Sequence, residues 1–472
     1  MVGADRGPAS EIDGDARTPP AGPIGAPVHR IRPIDSARGV AYYLLEMDRR
    51  AFFKSGLAGF GALAVPACGE QGAPSLGANP SWEDVRAQFK VAGDRIHMAG
   101  FLLASHPRPV ADAIERHRAG FDHDPVTYLH ENQGSAEFEV RRAAADYLGA
   151  SIDDVAMTDS TTQGLGMVYG GLRLQPGQEL LTTTHDHFAT HGALEYRAAR
   201  TQNPVRRVAL YDDPSGATTD EIVARFAKAI TPATRIIAVT WVHSGTGVKL
   251  PIEALADAVA SANAGRAEAD RALLFVDGVH GFGNQDVRVA ELGCDFFVAG
   301  CHKWIFGPRG TGLVWARPGA WPITSPTVPS FDVAWRPDSL DQQPTAGLMT
   351  PGGYHSFEHR WALPEAFAFH EQIGVSRVAA RIAELNTRCK EQLATVKGVT
   401  IATPMSPELS AGIICFSVDG VAPSQVVKLL DVKKIVAAVT PGYYNPAYTR
   451  LAPGLLTDES DVDLAVAAVA AI

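Results

Sequence analysis

Short apolar runs separated by helix-length segments occupy the middle of this 472-residue chain. Residues 179–183, 206–210, 235–242, 272–276 and 296–299 each form such a run. Continuous apolarity over so few residues marks a buried strand. Between two of these runs, residues 252–263 carry a helical pattern. Alternation of this kind predicts an α/β fold with a mostly parallel sheet covered by helices. Such sheets bind ligands beyond the carboxyl ends of their strands, so the residues just after each run are where chemistry is to be sought.

Two of those ends carry reactive groups. Lys303 follows the run at 296–299, within Gly300-Cys-His-Lys-Trp-Ile-Phe-Gly-Pro-Arg-Gly-Thr-Gly312. Asp277 ends the preceding run 26 residues earlier, a gap that fits one crossover. An amine withdrawn from bulk water loses proton affinity and becomes able to form a Schiff base with a carbonyl. Pyridoxal 5'-phosphate (PLP) needs a lysine for its aldehyde and a carboxylate for its pyridinium nitrogen, and this pair supplies both.

Composition narrows the remaining classes. At this length the chain can bury a large core and is expected to form two domains. A net charge of −10 argues against nucleic acid or an anionic membrane surface as the main partner. The five cysteines (Cys68, Cys294, Cys301, Cys389, Cys415) form no CxxC pair, and the histidines show no HExxH spacing, so no metal site is expected.

Residues 1–46 lack periodicity and read as disordered, or as an extension upstream of a natural start at Met47. From 47 to 68, Arg49-Arg50 followed by Phe52, Phe53, Lys54 and a modest apolar stretch resembles a twin-arginine export signal. That reading makes the export machinery a partner and the periplasm or cell envelope the destination; without it the location is cytoplasmic. Val65-Pro-Ala-Cys68 loosely matches a lipoprotein cleavage box, with Pro66 a poor fit. A linker at 69–81 leads to Ser81-Trp-Glu-Asp, which has the pattern of a helix start. Residues 317–353 suggest a long loop over the site or a dimer interface. Helical pattern resumes at 361–396, followed by a strand at 411–418 and a helix at 424–430.

Asp277-Gly-Val-His280 together with Gly300 to Gly312 resembles the class V aminotransferase family of PLP enzymes, within fold type I. The likeness runs from about Arg86 to the C-terminus and is nearest the isopenicillin N epimerase-like branch, with cysteine desulfurases as cousins. It implies a large PLP-binding domain at 82–355 with a mostly parallel seven-stranded sheet, a small C-terminal α+β domain at 356–472, and a homodimer. It also implies roles. Lys303 and Asp277 would be catalytic; Thr161 and Thr162, in Asp159-Ser-Thr-Thr-Gln-Gly-Leu-Gly166, would hold the phosphate at a helix start, joined by His302. His187 would stack on the cofactor ring, with His185 as the alternative. His280 is a further cofactor contact, Ser244 would lie near the phenolic oxygen, and Arg450 would grip a substrate carboxylate.

Two departures limit the likeness. Residues 435–448 contain no cysteine where desulfurases carry their nucleophile, and Cys415 lies in an apolar run, so a persulfide on this chain is not expected. The Gly-Thr phosphate contact that the family donates from a partner subunit is not recognisable in Pro351-Gly-Gly-Tyr-His-Ser-Phe-Glu-His-Arg360. The expected activity is transamination of an amino acid or small amine, with epimerisation, racemisation or C–S elimination as alternatives. An exported protein that binds PLP without turnover is the alternative of another class.

Overall fold

The computed structural model describes residues 76–331 and 343–472, all within one compact unit, Gln71–Ile472. The expected upstream extension and export signal lie outside the described residues.

A seven-stranded sheet is built from β1 (Val155–Thr158), β2 (Glu179–Thr183), β3 (Val205–Val208), β4 (Thr234–Thr240), β5 (Leu273–Asp277), β6 (Phe296–Gly300) and β7 (Gly312–Ala316). Their spatial order is β1-β7-β6-β5-β4-β2-β3. Only β7 runs against its neighbours; it returns through the loop at 301–311 rather than through a helix, whereas the other contacts among β2 to β6 are parallel. This is the mixed, mostly parallel α/β sheet of fold type I.

Alternate residues along each central strand serve different cores. Ile237, Val239, Leu274, Val276 and Phe297 pack on one face. Ile236, Ala238, Phe275, Phe296 and Val298 pack on the other. Both faces being covered, the strands are apolar throughout, which is why they were legible.

The strands β1 and β7 were not among the expected runs. β1 is four residues long and directly follows a 3-10 turn, and β7 begins inside a glycine-rich loop, so neither has the flanks that mark a strand. The helical stretch at 361–396 is two helices, Leu363–Ile373 and Val375–Leu393, broken at Gly374, whose φ of 97° favours glycine. The strand expected at 411–418 starts only at Ile414, because Gly412 turns the chain with φ 68°. The segment at 317–353 holds a 3-10 turn at Trp321–Ile323 and a short helix at Ala346–Met349.

A second sheet is antiparallel, in the order Ala438–Val439, Thr449–Leu451, Ile414–Val418, Val399–Ile401. Its register places Cys415 opposite Arg450. The helices Val375–Leu393 and Glu459–Ala470 pack against it through Leu385, Leu393, Val462 and Val469.

Candidate active site

The carboxyl ends of β1, β2, β4, β5 and β6 meet around one cavity, and residues just past each end form its wall. Every cofactor residue expected from the sequence lines it, together with Ser160, Ala189, Thr240 and Val279. A larger cavity lies elsewhere, beside Lys390, but that ammonium already donates to Pro404 O, Met405 O and Ser410 Oγ, so it has no proton free for chemistry.

Asp277 is the last residue of β5 and is buried. Its Oδ1 accepts the Val279 N–H at 3.2 Å. Burial pushes its carboxyl up to about 6, against the pull of that hydrogen bond and of Lys303. Lys303 sits in the loop after β6 and is half-buried. Burial lowers its ammonium to about 8, with Asp277 opposing. Its Nζ lies 3.3 Å from His280 Nε2. The loop is tightly wound behind it: Phe306 adopts φ 57° and donates its N–H to Lys303 O at 3.0 Å.

Thr161 and Thr162 open the helix Thr161–Gly171, whose cap Ser160 accepts the Gln163 N–H at 3.1 Å. The helix seats closely because Gly164 has no side chain; a Cβ there would lie 2.6 Å from Val298 Cγ1 on β6. Thr161 Oγ1 is buried with no hydrogen-bond partner among the described residues. An orphaned hydroxyl at a helix N-terminus suits a phosphate oxygen. His302 closes the same corner: a Cβ on Gly300 would lie 3.0 Å from both Thr161 Oγ1 and His302 Cε1. Burial lowers the His302 imidazole to about 4, leaving it neutral.

His187 caps the helix Phe188–Thr201, its Nδ1 accepting the Ala189 N–H at 3.3 Å. Burial, with Lys303 and Arg450 adding to it, lowers the ring to about 4, so it is a neutral, flat wall of the cavity. The alternative, His185, is not in the wall; it stacks on Tyr211 at 3.8 Å and accepts the Leu210 N–H.

Arg450 is buried and reaches the site only through Ser244. It donates to Ser244 Oγ at 2.8 Å, Ser244 O at 3.1 Å and Val439 O at 2.8 Å, and lies over the Phe101 ring at 4.5 Å. Its Nε has no partner among the described residues.

Sequence reasoning missed the role of Asp186. The β2 to β4 ladder ends at the pair Thr182 and Ala238, and the Asp186 carboxylate takes over there. It accepts from Thr182 Oγ1 (2.6 Å), Thr183 N (2.7 Å) and Thr240 N (2.6 Å). Thr240 in turn accepts the His187 N–H at 3.3 Å. One carboxylate thus fixes the ends of two strands and the residue between them. An acid three residues past a strand that ends in two threonines was the available signal.

The donor set fits the cofactor: an amine of lowered proton affinity, a buried acid with spare acceptor capacity, an orphaned hydroxyl at a helix N-terminus and a flat neutral ring. These define a PLP-dependent enzyme of fold type I. The chain belongs to the class V aminotransferase family, whose model (aminotransferase class-V) matches residues 104–450. It is 26% identical to isopenicillin N epimerase of Streptomyces clavuligerus over 394 residues, covering 81% of this chain and 96% of the relative. It is 24% identical to a probable cysteine desulfurase of Pyrococcus abyssi, covering 75% and 86%. Among solved structures, a C-DES mutant with glycine covalently linked to the PLP cofactor superposes with TM-score 0.73 at 19% identity, covering 82% of this chain and 98% of that one. A cysteine desulfurase from Thermococcus onnurineus superposes at 0.71 and 20%, covering 82% and 97%. At such identities the structures share the fold.

Proposed function

We propose that this enzyme is an aminotransferase that moves a proton at the Cα of an α-amino acid with Lys303 as its one acid–base group. The observation that carries the reading is the poverty of bases around the cavity. PLP, when bound, supplies an electron sink that acidifies the Cα proton. The chain's own part is to hold, orient and move that proton.

Lys303, lowered to about 8, has a substantial neutral fraction near neutral pH and is the group able to accept it. His187 is excluded as a base on the other face: its Nδ1 lone pair is taken by Ala189 N–H, which leaves Nε2 a donor. The Tyr443 and Tyr444 hydroxyls, raised by burial, are poor proton acceptors. Asp277 holds the ring nitrogen's proton, Thr161, Thr162 and His302 hold the phosphate, and Arg450 with Ser244 receives the substrate carboxylate. The retained lysine and aspartate speak against a PLP-binding protein without turnover.

Epimerisation is the second reading, supported by the isopenicillin N epimerase relatives and by Tyr443, which meets His187 edge to face at 5.7 Å. Sulfur transfer through a persulfide has less support, since Cys294, Cys301, Cys389 and Cys415 are all buried. Export through the twin-arginine route and assembly as a homodimer belong to the same proposal.

The test is product analysis with a panel of α-amino acids, with and without an oxo-acid acceptor. Transamination gives an oxo acid and a new amino acid in equal amounts. The enantiomer without oxo acid, or sulfide with pyruvate and ammonia, would replace this reading with epimerase or lyase chemistry.

A further inference from the structure

The group that sets Lys303's protonation is found by following the hydrogen bonds outward from its Nζ. His280 Nε2 lies 3.3 Å from that nitrogen, and on the far side of the same ring Trp304 Nε1 lies 3.4 Å from His280 Nδ1. An indole N–H can only donate, so His280 Nδ1 must be the acceptor. Burial keeps the imidazole neutral, far below its ordinary range. A neutral imidazole with a lone pair on Nδ1 carries its proton on Nε2. That proton points at Lys303. A donor facing the lysine is matched by a neutral amine, whose lone pair accepts, and is opposed by an ammonium, which has only donors.

The indole is held to this role by glycines. A Cβ on Gly412 would stand 2.4 Å from Trp304 Cη2, and one on Gly283 would stand 2.9 Å from the Trp304 backbone carbon. Gly412 at φ 68° and Gly283 at φ 87° both occupy the left-handed region that excludes most side chains. Trp304 therefore lies in a slot shaped for its ring, 5% exposed, and cannot turn its N–H elsewhere.

We propose that Trp304 and His280 are positioning residues that lock one imidazole tautomer, so that His280 Nε2–H, donating to the lone pair of Lys303 Nζ, favours the neutral amine over the ammonium. The other groups that act on Lys303 are Asp277 from β5, which favours the ammonium, and Arg450 from the antiparallel sheet, which opposes it. His187 from the start of its helix and His302 from the same loop are neutral. None of these four touches His280 Nδ1. The lock is consequently separable from them by substitution.

This inference rests on Lys303 binding PLP but not on which reaction follows, so it is tested without turnover. In the full-length protein stripped of cofactor, the rate at which Lys303 captures PLP in a borohydride-fixable form is followed against pH, and the His280 tautomer is read by ¹⁵N NMR. Wild type should show Nε2–H and a capture midpoint near 8. Trp304→Phe frees Nδ1, lets the ring take the opposite tautomer and accept from the ammonium, and should raise the midpoint by about one unit, which is roughly tenfold slower capture at neutral pH. His280→Gln, whose amide oxygen can turn to the ammonium, should raise it similarly and carries the test if the indole proves necessary for folding. An unchanged midpoint in whichever variant folds overturns the proposal. So does a raised midpoint with His280 still protonated on Nε2 in Trp304→Phe. Absence of any capture by wild type would instead overturn the assignment of Lys303.

Discussion

Two buried aspartates stand near the ends of the two strands that flank β4, and they are used in opposite ways. Asp186, after β2, accepts three hydrogen bonds from Thr182, Thr183 and Thr240. Asp277, at the end of β5 and paired in register with Thr240, accepts one, from Val279. Burial raises both carboxyls, but at Asp186 the three donors oppose it, whereas at Asp277 a single backbone N–H and Lys303 do. A buried polar group whose partners are all present stabilises the fold; one left short of partners costs stability and is available to a ligand. The difference separates a carboxylate that builds the site from one that works in it.

The largest test of that division removes the amine that faces Asp277. Lys303→Ala should abolish both turnover and the borohydride-fixable attachment of PLP while the protein keeps its fold. A reducible covalent adduct surviving in this variant would show that the reactive amine lies elsewhere. Asp277→Asn should come next. It keeps an acceptor for Val279 N–H but cannot hold the ring proton, so kcat should fall by about 10²-fold or more with the cofactor still attached. Near-normal kcat would place Asp277 with Asp186 as a structural acid.

Asp186→Asn should show the reverse profile. An asparagine offers one oxygen where three donors converge, and turns an N–H toward at least one of them. Leaving a buried backbone N–H without a partner should lower stability by about 2–3 kcal/mol, read as a fall in the urea midpoint at unchanged slope. Stability equal to wild type, with activity lost, would reverse the two assignments.

The contrast also marks what was legible in the sequence. Lys303 and Asp277 could be placed because each follows a continuous apolar strand, and a strand's end fixes where the next residue stands. His187 and Ser244 follow for the same reason, helped by resemblance, whereas Thr161 rested on its helix start and the resemblance. Asp186 could be seen but not understood, since its three partners lie on two strands and one of them, Thr240, is 54 residues away in sequence. Arg450 was expected to face a substrate, yet its tether to Ser244 crosses 206 residues and leaves no local pattern. The same holds for Trp304: its slot is cut by Gly283 and Gly412, whose spacing from it carries no period.

The smallest effect sharpens the comparison most, because it has the opposite sign from the intuition that a charge in an active site stabilises the fold. Asp277's carboxyl is raised from 3.8 to about 6 in the folded chain. Between those values the folded protein holds a proton that the unfolded chain has released, so stability falls as pH rises through this window and the loss is complete above it. That net shift already includes the attraction of Lys303. At pH 7 the ionised Asp277 therefore costs the cofactor-free protein stability, and replacing it with the nearly isosteric asparagine should return about 1–2 kcal/mol. The gain should shrink as pH falls from 6 to 4 and vanish below it, where the wild-type carboxyl is neutral in both states. Urea unfolding of cofactor-free wild type and Asp277→Asn at pH 4 and pH 7 measures it. A variant less stable than wild type at pH 7 would mean that Asp277, like Asp186, is already satisfied by its surroundings and is not held in reserve for a ligand.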